Sequence, residues 1–259
     1  MSGNAGNSGG IVVENLSVEL GGRRVLDSLG FHAPAGMVTG LIGPNGAGKT
    51  TVLRALLGLV PRRSGRVSLD GRALDGLDPR ERARALAYLP QGCPVHWPLT
   101  VERLVSLGRL PHQDPWRRPR PEDAAAIEAA MRATDMLHLR DRPATELSGG
   151  ERMRALLARA LAGEAPVLLA DEPVAALDPR HALSTMELFA DLAARGRTIV
   201  LVLHDLGLAA RFCGRLLLMD RGRMAAAGAP RSVLAPDLLA AVYGVRPRGD
   251  LTQSGFDAA

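Results

Sequence analysis

Lysine is almost missing from this sequence: Lys49 is the only one in 259 residues, and arginine supplies every other full positive charge. A genome biased towards arginine codons accounts for the rest of the chain but not for the exception. Lys49 stands where a compact ammonium serves and a planar guanidinium fits poorly. Aromatics are also scarce, at 3% against 46% hydrophobic residues, which fits a globular chain with an aliphatic core. The two cysteines, Cys93 and Cys213, form no disulfide or metal pattern and read as reduced thiols in a cytosol. The apolar runs Val167–Ala170 and Ile199–Leu203 are far too short to span a bilayer. Met1–Gly10 has neither the basic nor the apolar region of a signal peptide. If the protein acts at a membrane, another chain must cross it.

The net charge is +5 and the pI near 10.1, a balance that suggests nucleic acid or an anionic surface. The arginines are, however, spread along the whole chain. The one local cluster, Trp116–Arg120, is too short for a binding stripe. No nucleic-acid partner is expected, and both this stretch and the tail 246–259 read as solvated surface.

No internal repeat or long low-complexity segment appears. Short β-rich runs at Ile11–Val13, Leu16–Leu20 and Val38–Ile42 alternate with turn signals at Gly21-Gly22 and Pro34–Gly36. A helix is expected over Thr50–Leu57, stopped by Gly58. A strand at Val67–Leu69 with a tight Asp70-Gly71 turn follows, then a helix over Pro79–Ala85 and a short strand at Ala87–Leu89. Prolines at 94, 98, 111, 115, 119 and 121 rule out one long helix between 92 and 120. Val101–Leu107 is a short helical candidate there, and Glu122–Leu137 an Ala-rich helix. Over Gly150–Ala162, Met153, Leu156, Leu157, Ala160 and Leu161 share one helical face. From 166 the pattern alternates: strand Val167–Ala170, helix His181–Arg195, strand Thr198–Leu203, helix Leu206–Cys213, strand Leu216–Met219. That alternation predicts an α/β fold with a parallel sheet and crossover helices. The mainly helical stretch from about 92 to 160 reads as a subdomain inserted into it.

Gly43-Pro44-Asn45-Gly46-Ala47-Gly48-Lys49-Thr50 follows an apolar run and opens a helix, which is the setting of a phosphate-binding loop. Its glycines let backbone N–H groups turn around a triphosphate, and the helix N-terminus adds positive potential. Lys49 is placed for the β- and γ-phosphates, the Thr50 hydroxyl for Mg²⁺, and Thr51 joins the ATP-binding set. A second feature is the apolar strand Val167–Ala170, which ends in Asp171-Glu172 at the carboxyl edge of the sheet, where such folds bind ligands. Acidic strand ends are common, and only the preceding phosphate loop gives this one meaning. Asp171 then suits a water-mediated Mg²⁺ contact, and Glu172 polarisation of an attacking water. Leu147-Ser148-Gly149-Gly150-Glu151 caps the amphipathic helix. It is either an ordinary N-cap or a second anion site that closes over ATP from a neighbouring copy in a head-to-tail dimer. His204 ends a strand and is placed for a γ-phosphate or the water. Gln91 follows another strand as a neutral group for Mg²⁺ and γ-phosphate.

The ordered set of phosphate loop, Gln91, Leu147–Glu151, Asp171-Glu172, Ala176-Leu177-Asp178 and His204 resembles that of ATP-binding cassette (ABC) ATPases over roughly residues 11–245. The resemblance implies a P-loop NTPase (RecA-like) core with an N-terminal antiparallel β subdomain and an inserted α-helical subdomain. Residues 1–10 and 246–259 are tails on this reading. It also implies the Walker A, Q-loop, signature, Walker B, D-loop and H-loop roles at those positions, with ATP and Mg²⁺ as ligands and a dimer formed on ATP. Thr100-Val101-Glu102, Leu107–His112, His204–Ala210 and Val242–Val245 are similar to the branch serving iron–siderophore, haem and cobalamin importers. That likeness implies permease subunits as partners, a periplasmic or surface binding protein acting indirectly, and a place on the cytoplasmic face of the bacterial inner membrane. Zinc or manganese importer cassettes and soluble non-transport ABC ATPases are the alternatives. The sequence departs from the family in three places. Leu20 stands where an aromatic usually stacks on adenine, Val174–Asp178 lacks the hydroxyls often found before Leu-Asp, and the signature ends in Glu151 where Gln is frequent.

Overall fold

The computed structural model describes residues 9–92, 94–114 and 120–245. Cys93, most of the Trp116–Arg120 cluster and the tail 246–259 lie outside the described residues. The strands, in chain order, are β1 (Gly10–Leu20), β2 (Arg23–Pro34), β3 (Val38–Ile42), β4 (Ser64–Leu69) and β5 (Arg72–Ala73). They continue with β6 (Leu86–Leu89), β7 (Val167–Asp171), β8 (Thr198–Val202), β9 (Arg215–Asp220) and β10 (Arg223–Gly228). The helices begin with α1 (Lys49–Leu56), α2 (Pro79–Ala85), α3 (Val101–Ser106), α4 (Pro121–Ala133) and α5 (Gly149–Ala162). They end with α6 (Pro179–Ala194), α7 (Leu206–Phe212), α8 (Pro230–Val233) and α9 (Pro236–Tyr243).

Two sheets form. One is antiparallel, in the order β2-β1-β4-β5. The two short runs foreseen at 11–13 and 16–20 are one strand, β1, irregular in register around Asn15, whose φ is +50°. The other sheet runs β10-β9-β3-β8-β7-β6; four of its five pairings are parallel, and β9–β10 is antiparallel. Parallel strands covered on both faces read as continuous apolar runs, and β3, β7 and β8 are buried at every position. Their side chains alternate between two cores. Ile199 and Leu201 face a core shared with α5, α6 and α7, whereas Val200 and Val202 face one shared with α1 and the antiparallel sheet.

The helices α3, α4 and α5 lie in the chain between β6 and β7 and pack on one another. The foreseen helix over 122–137 stops at Ala133: Asp135 adopts a left-handed backbone (φ +54°), and the Thr134 hydroxyl donates back to the Ala130 carbonyl at 3.0 Å. The helix α5 buries the foreseen stripe Met153, Leu156, Leu157, Ala160 and Leu161. A buried ion pair ties the far end of α5 to its neighbours. Arg109 donates to Asp123 at 2.8 Å and to the Ala162 carbonyl at 2.9 Å.

Candidate functional site

The parallel sheet order places β3, β8, β7 and β6 side by side, so the chain segments leaving their carboxyl ends share one edge. The phosphate loop leaves β3, His204 follows β8, Glu172 follows β7 and Gln91 follows β6.

Gly43, Gly46 and Gly48 have φ of +149°, +80° and +100°, a backbone that favours glycine. At Gly43 sterics add to this, since a Cβ there would sit 2.3 Å from the Met219 carbonyl oxygen. Gly48 is the left-handed N-cap of α1. Pro44, Asn45 and Ala47 complete the turn, with the Ala47 amide donating to the Pro44 carbonyl at 3.1 Å. Lys49 is only 6% exposed, and its Nζ donates to the Gly43 and Pro44 carbonyls at 2.7 and 3.0 Å. Burial pulls its pKa down, and the Glu172 and Asp171 carboxylates partly oppose this. Thr50 and Thr51 lie in the first turn of α1.

Asp171 is 1% exposed, and neither of its carboxylate oxygens has a hydrogen-bond partner. Burial pushes its pKa up; the Thr50 hydroxyl interacts with it outside hydrogen-bond geometry and offsets part of the rise. Such an orphaned carboxylate is costly. Beside a hydroxyl, it is the oxygen donor set that Mg²⁺ takes when phosphates supply the remaining ligands. Among the described residues no group of three or more His, Cys, Asp or Glu could hold a metal by itself.

Glu172 adopts φ +53°, a conformation that costs a non-glycine residue on the order of 1–3 kcal/mol. Its Oε2 accepts from Gln91 Nε2 at 2.6 Å, and its Oε1 lies 2.5 Å from His204 Nε2. Its amide donates to the Val202 carbonyl at 3.2 Å. The strained residue is thus held from β6 and from β8 at once. On the α6–α7 side of Glu172 and His204 a cavity of about 640 Å³ opens, lined mainly by apolar groups such as Val174, Leu177 and Leu208.

The serine–glycine segment stands apart from this cluster. Ser148 Oγ accepts from the Glu151 amide at 3.3 Å, and Glu151 Oε2 accepts from the Ser148 amide at 2.8 Å, a reciprocal capping box on α5. The Ser148 amide holds the Glu151 carboxyl below its ordinary pKa. Leu147 is buried beneath the cap. A Cβ built on Gly149 meets nothing within 4 Å, and one on Gly150 meets only the Leu177 side chain at 3.5 Å and the Ala176 carbonyl at 3.9 Å. The chain's own packing therefore does not demand either glycine. Among the described residues no hydrogen bond or ion pair joins Ser148–Glu151 to the phosphate loop. Asp178 caps α6, accepting from the His181 amide at 3.0 Å. Leu20 ends β1, exposed at 38%.

Tyr243 on α9 falls in the Val242–Val245 run that resembles the importer branch, and its contact with the phosphate loop goes beyond that likeness. It packs against the sheet core, burial pushes its phenol up, and an interaction with the Gly43 amide partly offsets that rise. The chemical order of residues carries no signal for such a contact across two hundred positions.

Comparison with known proteins gives a consistent picture. Residues 26–175, more than half of the chain, match the family model described as ABC transporter. A hemin import ATP-binding protein of Nocardia farcinica is 47% identical over 236 residues, covering 90% of this chain and 81% of that protein. A cobalamin import ATP-binding protein of Halobacterium salinarum is 44% identical over 235 residues, covering 90% of this chain but 58% of the relative's length. A solved structure described as a metal-chelate type ABC transporter in an inward-facing conformation superposes with a TM-score of 0.80. It is 27% identical, covering 92% of this chain and 90% of that one.

Proposed function

Because the chain belongs to the ABC transporter ATPase family, we propose that it is the ATP-hydrolysing subunit of an importer for haem, cobalamin or an iron chelate. The import reading is supported by relatives whose names specify hemin and cobalamin import and by the metal-chelate type neighbour. The observation that carries the enzymatic reading is Glu172, whose carboxylate is held by Gln91 and His204 at the sheet edge that also bears Lys49 and Asp171.

On this proposal residues 11–245 form one cassette, with about 92–160 as its helical insert. Lys49 releases the two loop carbonyls and pairs with the β- and γ-phosphates, while amides of Asn45–Thr50 surround them. Thr50, Asp171 and Gln91 hold Mg²⁺, which supplies charge neutralisation along the triphosphate. Glu172 orients a water in line with the γ-phosphorus and accepts its proton as the P–O bond to ADP breaks. His204 keeps the Glu172 carboxylate aimed. A second copy supplies Ser148, Gly149 and Gly150, whose unencumbered surfaces leave room for a nucleotide.

No described helix is long and apolar enough to cross a membrane. We therefore assign the crossing to separate permease subunits, place this chain peripherally on the cytoplasmic face of the inner membrane, and give it a solute-binding protein as an indirect partner. Affinity purification of the tagged native protein from detergent-solubilised membranes tests this. The proposal expects a polytopic permease in stoichiometric amount, and hydrolysis that rises when loaded binding protein is added. Recovery with ribosomes or nucleic acid and no membrane partner would reject the importer role.

A further inference from the structure

A second, smaller cavity of about 260 Å³ lies on another face of α6, walled by α5 and by the end of α4. It holds several times the ~30 Å³ share of one liquid water. Its lining is about half apolar, from Ala133, Leu157 and Leu188, and its charged groups are mostly positive: Arg154 from α5 and Arg180 and His181 from α6, beside Ser184 and Thr185, against Asp135 alone. Several of its donors are unspent among the described residues, although the Glu151 carboxylate lies within electrostatic reach of Arg154. Arg154 Nε is buried with no hydrogen bond. Thr185 is 6% exposed, and among the described residues its hydroxyl makes no hydrogen bond and the Arg180 guanidinium no ion pair. His181 spends Nδ1 on Asp178 at 2.6 Å, leaving Nε2 unengaged. Asp135 sits at the opposite rim, 3.8 Å from His138 Nδ1.

The buried Arg154 Nε is destabilising unless something accepts from it. Two guanidinium groups lining one small cavity offer charge-assisted hydrogen bonds to an anion that enters it. We propose that this pocket binds a phosphate group, either free or as the ester of a small metabolite, and that its occupancy braces α5 against α6. The site lies outside the phosphate loop and shares no residue with it. It has a mechanical consequence, because Ser148 caps the start of α5 and Asp178 caps the start of α6. A ligand bridging the two helices fixes the relative placement of the segments that a second copy must meet.

The test uses the full chain carrying Lys49→Ala, so that the phosphate loop does not contribute. Inorganic phosphate and glycerol 3-phosphate are titrated at constant ionic strength by calorimetry, with thermal unfolding in parallel. Saturable 1:1 binding that raises the unfolding temperature is expected. Arg180→Gln, at an exposed position, should weaken it about tenfold and Thr185→Val a few-fold. Arg154→Gln adds a third arm, and if that variant does not fold, Arg180→Gln alone decides. Binding of inorganic phosphate only identifies the free ion as the source, and binding of the ester as well identifies a metabolite. If neither probe saturates, or if Arg180→Gln binds as well as its parent, the cavity holds water and the proposal is wrong. Hydrolysis by the unmodified chain is measured separately, so failure here leaves the nucleotide site untouched.

Discussion

His204 Nε2 lies 2.5 Å from Glu172 Oε1, while Gln91 Nε2 donates to the other oxygen of the same carboxylate at 2.6 Å. Two side chains from two neighbouring strand ends thereby fix a glutamate whose own backbone is strained. The arrangement predicts unequal kinetic losses. Removing the imidazole in His204→Ala frees the carboxylate from the β8 side and should lower kcat about 100-fold, the scale of a misplaced catalytic group. Gln91→Ala should cost about tenfold. Nucleotide affinity should change little in His204→Ala, and steady-state assays over a range of ATP concentrations separate the two effects.

Lys49 is the sole lysine, yet charge alone does not explain its place. Its Nζ reaches two loop carbonyls from a position 6% exposed. A guanidinium is larger and planar, so Lys49→Arg should lose ATP affinity about tenfold or more despite keeping the charge. Equilibrium binding of a fluorescent ATP analogue measures it, and wild-type affinity in the arginine variant would mean that the ammonium's shape is irrelevant.

The departure at Glu151 has a structural use, because its carboxylate closes the capping box of α5. Glu151→Ala should lower stability by about 1 kcal/mol, and Glu151→Gln, which keeps an accepting oxygen, by less. Thermal unfolding of the two variants compares them directly.

Cys213 is 5% exposed, and burial pushes its thiol up to about 12. The thiolate is the reactive form, so in a Cys93→Ser background an alkylating reagent at pH 8 should label Cys213 only as fast as the protein unfolds. The linkage has a definite sign. A folded pKa above the unfolded value of about 8.5 means this thiol favours the folded state below that pH, and its contribution is lost as pH rises towards 12. Cys213→Ala should therefore flatten alkaline destabilisation between about pH 9 and 12, seen by urea unfolding at each pH.

Much of the sheet could be read from the sequence, because strands buried on both faces must be apolar throughout. The runs Val38–Ile42 and Val167–Ala170 announce β3 and β7 for that reason. Where burial is one-sided or tertiary, the signal fades. The edge strand β10, Arg-Met-Ala-Ala-Ala-Gly, alternates exposed with half-buried positions and has little intrinsic β preference. It forms because the turn at Arg221-Gly222, both at positive φ, folds it onto β9. The charged start of β2 hid that strand in the same way. At the site, the spacing of motifs predicted which residues gather at the sheet edge. The clamp on Glu172, its left-handed backbone and the approach of Tyr243 to Gly43 depend on contacts that no local pattern encodes.

On the proposed mechanism Glu172 is the group that activates water. Single-turnover hydrolysis of radiolabelled ATP by Glu172→Gln, with Mg²⁺ and protein in excess, tests it most directly. ATP affinity should stay close to wild type, cleavage should slow at least about 100-fold, and an ATP-bound dimer should accumulate on gel filtration. Cleavage at the wild-type rate would remove Glu172 from the chemistry.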